Sequence, residues 1–116
     1  MINIDVELED SFYKKINHEN VEKAIEKGLD HGIHDAENTC KREAPIDTGN
    51  LRRSIHKNKP GKGVRELIAP DAPYWVYVNY GTSKMLADPF VTITAEEVGP
   101  KIPRYIRDEL KHMGDL

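Results

Sequence analysis

The sequence predicts an α+β fold. It has a long N-terminal helix, a small antiparallel sheet of three to four strands, and an interrupted C-terminal helix packed on one face. Three observations carry this reading. An apolar three-and-four spacing persists from Val21 to Ala44. Short strand-like runs separated by Pro and Gly follow it. A second helical pattern, broken by Gly99-Pro100 and Pro103, closes the chain. At 116 residues the chain is long enough for one domain and too short for two ordinary ones. The expected layout is a strand or arm over 1–18, a helix over 20–44, a sheet region over 51–80 and the interrupted helix over 88–112.

The first eight residues alternate Ile2, Ile4, Val6 and Leu8 with Asn3, Asp5 and Glu7. Period two marks a half-buried or edge strand, or an arm that pairs with a neighbouring subunit. From Val21 the period changes. Ala24, Ile25, Gly28, Leu29, Gly32, Ile33, Ala36, Cys40 and Ala44 share one helical face, and Glu, Lys and Asp fill the other. Asn20 is placed to cap this helix, and Pro45 ends it by pushing Ala44 out of the helical region. Gly28 and Gly32 each cost about 1 kcal/mol against Ala in a helix. Their place on the apolar face implies close approach of another backbone.

Asp47, Thr48 and Gly49 (PIDTGN) read as a turn: Asp47 accepts backbone N–H groups, Thr48 supports it, and Gly49 supplies a positive φ. A catalytic Asp–Thr pair is the sharper alternative, but nothing nearby forms a nucleophile–base pair. Leu51–Asn58 reads as a strand, Lys59–Gly63 as a loose hairpin tip and Val64–Ala69 as a second strand. Pro70 and Pro73 bracket a turn. Tyr74–Tyr80 (YWVYVNY) has the densest strand propensity in the chain, although a short helical turn into Gly81 also fits. As a strand it would put Tyr74, Val76, Val78 and Tyr80 on one face, and Trp75, Tyr77 and Asn79 on the other. Gly81–Ala87 is a loop whose first residues, Gly81 and Thr82, make a turn. Asp88-Pro89 starts the last helical region.

Ala44–Ile55 (APIDTGNLRRSI) and Tyr77–Phe90 (YVNYGTSKMLADPF) resemble the gene-10-product-like family of lambdoid tailed phages, of HK97 type. That family's pattern is a long N-terminal helix, A-P-x-D-T-G-x-L-R-x-S, Y-V-E-x-G-T, and a P-F that opens a C-terminal helix. The order and spacing agree over about Val21–Leu110. The resemblance implies a virion protein at the neck, a head–tail joining or tail-completion component assembled as an oligomeric ring. Its implied partners are connector or head-closure proteins and tail proteins. This chain departs from the pattern at Asn79, where the family has Glu, so any charged subunit contact made by that Glu is altered here.

Composition and motifs bound the alternatives. Net charge is −3 with a pI of about 5.9, so no global basic excess points to nucleic acid. The most basic stretch, Arg52, Arg53, His56, Lys57, Lys59 and Lys62, supports a second hypothesis, a small nucleic-acid-binding module. A third, a hydrolase or nuclease on Asp47, His56 and a metal, has no converging catalytic set behind it. His31 and His34 have a spacing that permits a shared metal, but the sequence places no third ligand. No enzyme activity, cofactor or metal is expected. Cys40, the lone cysteine, fits a reducing compartment and a small core residue. The acidic start lacks a secretion-leader layout, and no apolar run approaches the ~20 residues of a membrane span. Assembly in the host cytoplasm into the virion is therefore expected. The expected subunit or partner contacts are Arg52, Arg53, His56, Lys57, Trp75, Tyr77, Asn79, Lys84, Met85 and Leu86. Aromatics concentrate there: Tyr74–Tyr80 holds four of the chain's eight.

Overall fold

The computed structural model describes residues 1–5, 18–45 and 49–114. Strand β1 (Ile2–Asp5) leads to helix α1 (His18–Glu43), a short helix α2 (Asn50–Ser54) and the hairpin strands β2 (His56–Gly61) and β3 (Val64–Ile68). Then come α3 (Trp75–Tyr80), α4 (Phe90–Val98), a 3₁₀ turn (Gly99–Lys101) and α5 (Ile102–His112). The three-stranded sheet is antiparallel, with order β1-β3-β2. The class is the expected α+β, with the sheet at the lower end of the expected strand count. Of the N-terminal alternation, Val6–Leu8 lies outside the described residues, as do Asp47 and Thr48 of the turn.

Helix α1 is the middle element. Its 26 residues span about 39 Å at 1.5 Å per residue. One side of it covers β3 and β2, and the other carries α4 and α5. Val21, Ala24, Leu29, Ala36 and Cys40 are fully enclosed with Leu67, Phe90 and Leu110. A helix shared between two layers needs an apolar stripe wide enough for both, and the Val21–Ala44 spacing supplies it. Helix α1 begins at His18, so Asn20 lies inside its first turn and is not the cap the sequence suggested.

Gly28 and Gly32 serve the close approach inferred for them. A Cβ on Gly28 would lie 2.9 Å from both the Cα and the N of Ile106 on α5, and one on Gly32 would collide with Cδ1 of Ile102. The α1 and α5 backbones therefore touch at Gly28. Across the same seam His31 stacks on Tyr105 with centroids 3.8 Å apart, and Tyr105 donates its hydroxyl to Asp35.

Four readings of the sequence change, and one left open is decided. The 51–80 region is not all sheet, because Leu51–Ser54 is helical. Gly49 at φ 68° turns the chain, the Arg53 N–H bonds back to the Gly49 carbonyl, and Leu51, Ser54 and Ile55 bury at three-and-four spacing. Of the two readings open for Tyr74–Tyr80, the helix is the one found, over Trp75–Tyr80, and it dissolves the two-face division of the aromatics. Val78 and Gly81 donate back to the carbonyls of Tyr74 and Tyr77. With its backbone satisfied locally, the segment has no need of a strand partner. The hairpin tip is narrower than Lys59–Gly63, because β2 runs through Gly61 with a register shift after Asn58. Asp88 does not cap α4 with its side chain. Pro103 sits in the first turn of α5, where its missing N–H costs nothing, so only Gly99–Lys101 marks the interruption.

Candidate interaction surface

Among the described residues, the exposed large apolar side chains gather on α3 and the loop after it. Helical spacing turns Trp75, Val78 and Asn79 inward: Trp75 and Val78 pack against the core and Asn79 is buried. The same spacing turns Tyr74, Val76, Tyr77 and Tyr80 outward, with Tyr77 62% and Tyr80 68% exposed. Met85 and Leu86 extend this surface, and Leu86 is 93% exposed. Every residue from Thr82 to Pro89 lies in solvent. Water-facing aromatics, Met and Leu in one short stretch are the composition of a partner-binding patch.

The protrusion is fixed at its root. Asn50 of α2 donates to the Tyr74 hydroxyl at 3.0 Å. The Asn79 carbonyl oxygen accepts from the backbone N–H groups of Val91 (2.9 Å) and Thr92 (3.3 Å), and its amide donates to Thr92 Oγ1. Helix α4 has no side-chain cap of its own, so Asn79 caps it from another helix. Gly81 takes φ 78°, and a Cβ there would lie 2.8 Å from the Ala87 nitrogen. Thr82 and Met85 then exchange backbone hydrogen bonds, and Asp88 donates to the Val78 carbonyl. The Gly81–Asp88 loop is therefore tied at both ends while its tip stands out.

The remaining expected contact residues fall elsewhere. Arg52 points inward enough to donate to the Ala44 carbonyl at 3.2 Å, while Arg53 is exposed beside Gly49. His56 and Lys57 lie on β2. The Lys57 backbone donates to Glu37 at 2.8 Å, and its ammonium lies 3.4 Å from His34 Nδ1. Lys59 pairs with Glu26 at 3.5 Å. These cations face α1 and not the aromatic protrusion, and Asn79 works inside the chain.

Arg65, a residue not singled out from the sequence, is the best-satisfied charged group among the described residues. Its side chain is 1% exposed, and all five N–H groups have acceptors. Nε donates to Asp30 at 2.7 Å, and one terminal nitrogen reaches the carbonyls of Val64 and Gly61. The other terminal nitrogen reaches the carboxylate and the carbonyl of Glu26. Burial alone would push the Glu26 carboxyl up. The bonds from Arg65 and the Gly63 N–H, with the charges of Arg65 and Lys59, outweigh it and hold the group below its ordinary range. The available signal was Glu26 and Asp30 one turn apart on α1, opposite an Arg at an inward position of β3.

No group of three or more His, Cys, Asp or Glu could hold a metal ion among the described residues. Burial raises the Cys40 thiol to about 11, so at neutral pH it is a packing group. No helix is long and apolar enough to cross a membrane among the described residues. What the surface offers is an apolar, aromatic protrusion on a hydrogen-bonded root.

A family model described as "Bacteriophage HK97-gp10, putative tail-component" matches residues 7–81. The chain belongs to the HK97-gp10-like family. No curated protein and no solved structure matches it. The matched span contains the whole Ala44–Ile55 motif and ends at Gly81, at the root of the exposed loop. The HK97-gp10-like family is one of phage tail components, a structural class whose members work through other virion proteins.

Proposed function

We propose that this HK97-gp10-like protein joins head to tail, or completes the tail, as a subunit of an oligomeric ring at the neck. The observation that carries the reading is the protrusion of Tyr77, Tyr80, Met85 and Leu86 in a chain from a tail-component family. A structural subunit needs surface that is unfavourable in water until a partner covers it. A ring subunit also needs two different complementary surfaces, because head-to-tail contacts close a ring only when a patch meets something other than itself. The fixed root at Asn79 and Gly81 keeps the protrusion preorganised, which lowers the cost of docking. The protein acts by binding.

The test is co-expression with connector and tail-tube proteins of a tailed phage that encodes this chain, followed by mass photometry and electron cryomicroscopy. The expected product is a closed ring containing several copies. A protein that stays monomeric alone and in every such mixture overturns the reading.

A further inference from the structure

We infer that the outward face of α5 binds the phosphate backbone of duplex DNA through Lys101, Arg104, Arg107 and Lys111. This surface is separate from the aromatic protrusion and does not depend on the ring. The four cations fall three and four residues apart, so on a helix they form one row. At 1.5 Å per residue the row is about 15 Å long. Ile102, Tyr105 and Leu110 of the same helix are buried, which turns the row toward solvent. Arg104, Arg107 and Lys111 are exposed, and Lys101 is half-buried.

The fold leaves these charges unspent. Lys23, Lys41, Arg42, Lys59 and Arg65 all pair with carboxylates. None of the four cations on α5 forms an ion pair among the described residues, although Asp108 stands between them in sequence. Helix electrostatics do not account for the row either. Cations favour the C-terminal end of a helix, which suits Lys111. Lys101 and Arg104 stand at the N-terminal end, where the helix dipole opposes them and the first turn holds no acid. Arg104 is steadied there over the Tyr105 ring, 5.6 Å from its centroid, and the Tyr105 hydroxyl is fixed on Asp35.

The chemistry of the face selects its partner. A protein interface has an apolar core within a polar rim. The large apolar side chains exposed among the described residues all lie on α3 and its flanks, and α5 contributes none. A single strand calls for aromatic platforms that stack its bases, and Tyr105, the aromatic of α5, is only 8% exposed. A straight row of cations with neither feature fits the regular anionic backbone of a duplex, which Arg and Lys hold without reading sequence. The chain as a whole is net −3, so the attraction is local to this face. The basic hairpin singled out from the sequence is the weaker candidate, because its Lys57 and Lys59 face His34 and Glu26 on α1.

The experiment follows the fluorescence anisotropy of a labelled duplex of arbitrary sequence with the full chain across a salt series. Sequence-independent binding is expected, with a Kd of about 1–100 μM and a slope of about 3–4 in log Kd against log salt. Arg104→Gln with Arg107→Gln should weaken binding about tenfold at low salt and lower the slope by about 2. Lys101→Gln with Lys111→Gln should do the same while leaving Arg104 on Tyr105, and circular dichroism checks that both variants fold. Lys57→Gln with Lys59→Gln, on the hairpin, should bind as the parent does. No binding at low salt overturns the inference, as does a loss confined to the hairpin variant. A single strand that binds more tightly than the duplex also overturns it. An acidic peptide of equal charge that binds as tightly as the duplex reassigns the face to an acidic protein. None of these outcomes bears on the ring, which is tested by its own assembly.

Discussion

Arg65 shows how one side chain ties a hairpin to a helix. Its guanidinium is enclosed, but Glu26 and Asp30 both reach the surface, so the cluster keeps part of its hydration. Breaking it still leaves carboxylates placed for a cation that is gone, and removing one partner of a buried pair costs several kcal/mol. Because the acids are partly solvated, Arg65→Ala should destabilise by about 2–4 kcal/mol. Urea unfolding followed by the fluorescence of Trp75, the single tryptophan, measures this. A loss under about 1 kcal/mol would show that the pairing is mostly solvent-screened. The pH dependence has a definite sign. Glu26 titrates lower when folded than unfolded, so its contribution is complete above the unfolded carboxylate value and is lost as pH falls through the folded one. Melting temperature should therefore fall on acidification below about pH 4.5, and Glu26→Gln should flatten that slope. An equal slope in the variant assigns the acid sensitivity to other carboxylates.

At the scale of elements, the α1–α5 seam depends on glycine at two positions for different reasons. A methyl at Gly28 meets the backbone of Ile106, which moves only if the helices separate. A methyl at Gly32 meets the end of the Ile102 side chain, which can rotate away. Alanine also contributes about 1 kcal/mol of helix propensity. Gly28→Ala should therefore destabilise by about 1–3 kcal/mol, the usual cost of overpacking. Gly32→Ala should stay within about 1 kcal/mol of the parent, since propensity offsets the smaller clash. Thermal melts of the two variants side by side test the difference, and equal losses would mean that Ile102 cannot repack. Both glycines were legible in the sequence as costly residues on an apolar face. That one faces backbone and the other a side chain emerges only from the register of α5 against α1.

For the whole molecule, stability and assembly separate in space. The core is built along α1, while the aromatic protrusion is mostly outside it. Tyr77→Ser with Tyr80→Ser should leave the urea midpoint almost unchanged, because surface substitutions usually lie within about 0.5 kcal/mol. The same double variant should lose binding to its virion partners by a factor of ten or more, since buried tyrosines dominate such contacts. Pull-down with the connector and tail-tube proteins, beside the unfolding curve, checks both halves. A large stability loss would return these tyrosines to the core.

The sequence by itself determined the α+β class, the long helix with its apolar face, the close approach at Gly28 and Gly32, and the exposed Met85-Leu86 loop. Each rests on local periodicity or on the chemistry of one residue, and no distant partner is needed to read it. Only the tertiary structure decided that Leu51–Ser54 and Trp75–Tyr80 are helices. Strand propensity reports a side chain's fit to a pleated surface, whereas Val78 and Gly81 donate back to the carbonyls of Tyr74 and Tyr77 and satisfy the segment's backbone without a strand partner. The same decision turned the expected Trp75 face inward and brought Tyr77 and Tyr80 out together, because three-residue spacing on a helix aligns what alternation on a strand divides. Asn79 followed them: the position where the family pattern suggested a subunit contact became the cap of α4, since that helix has no capping side chain of its own.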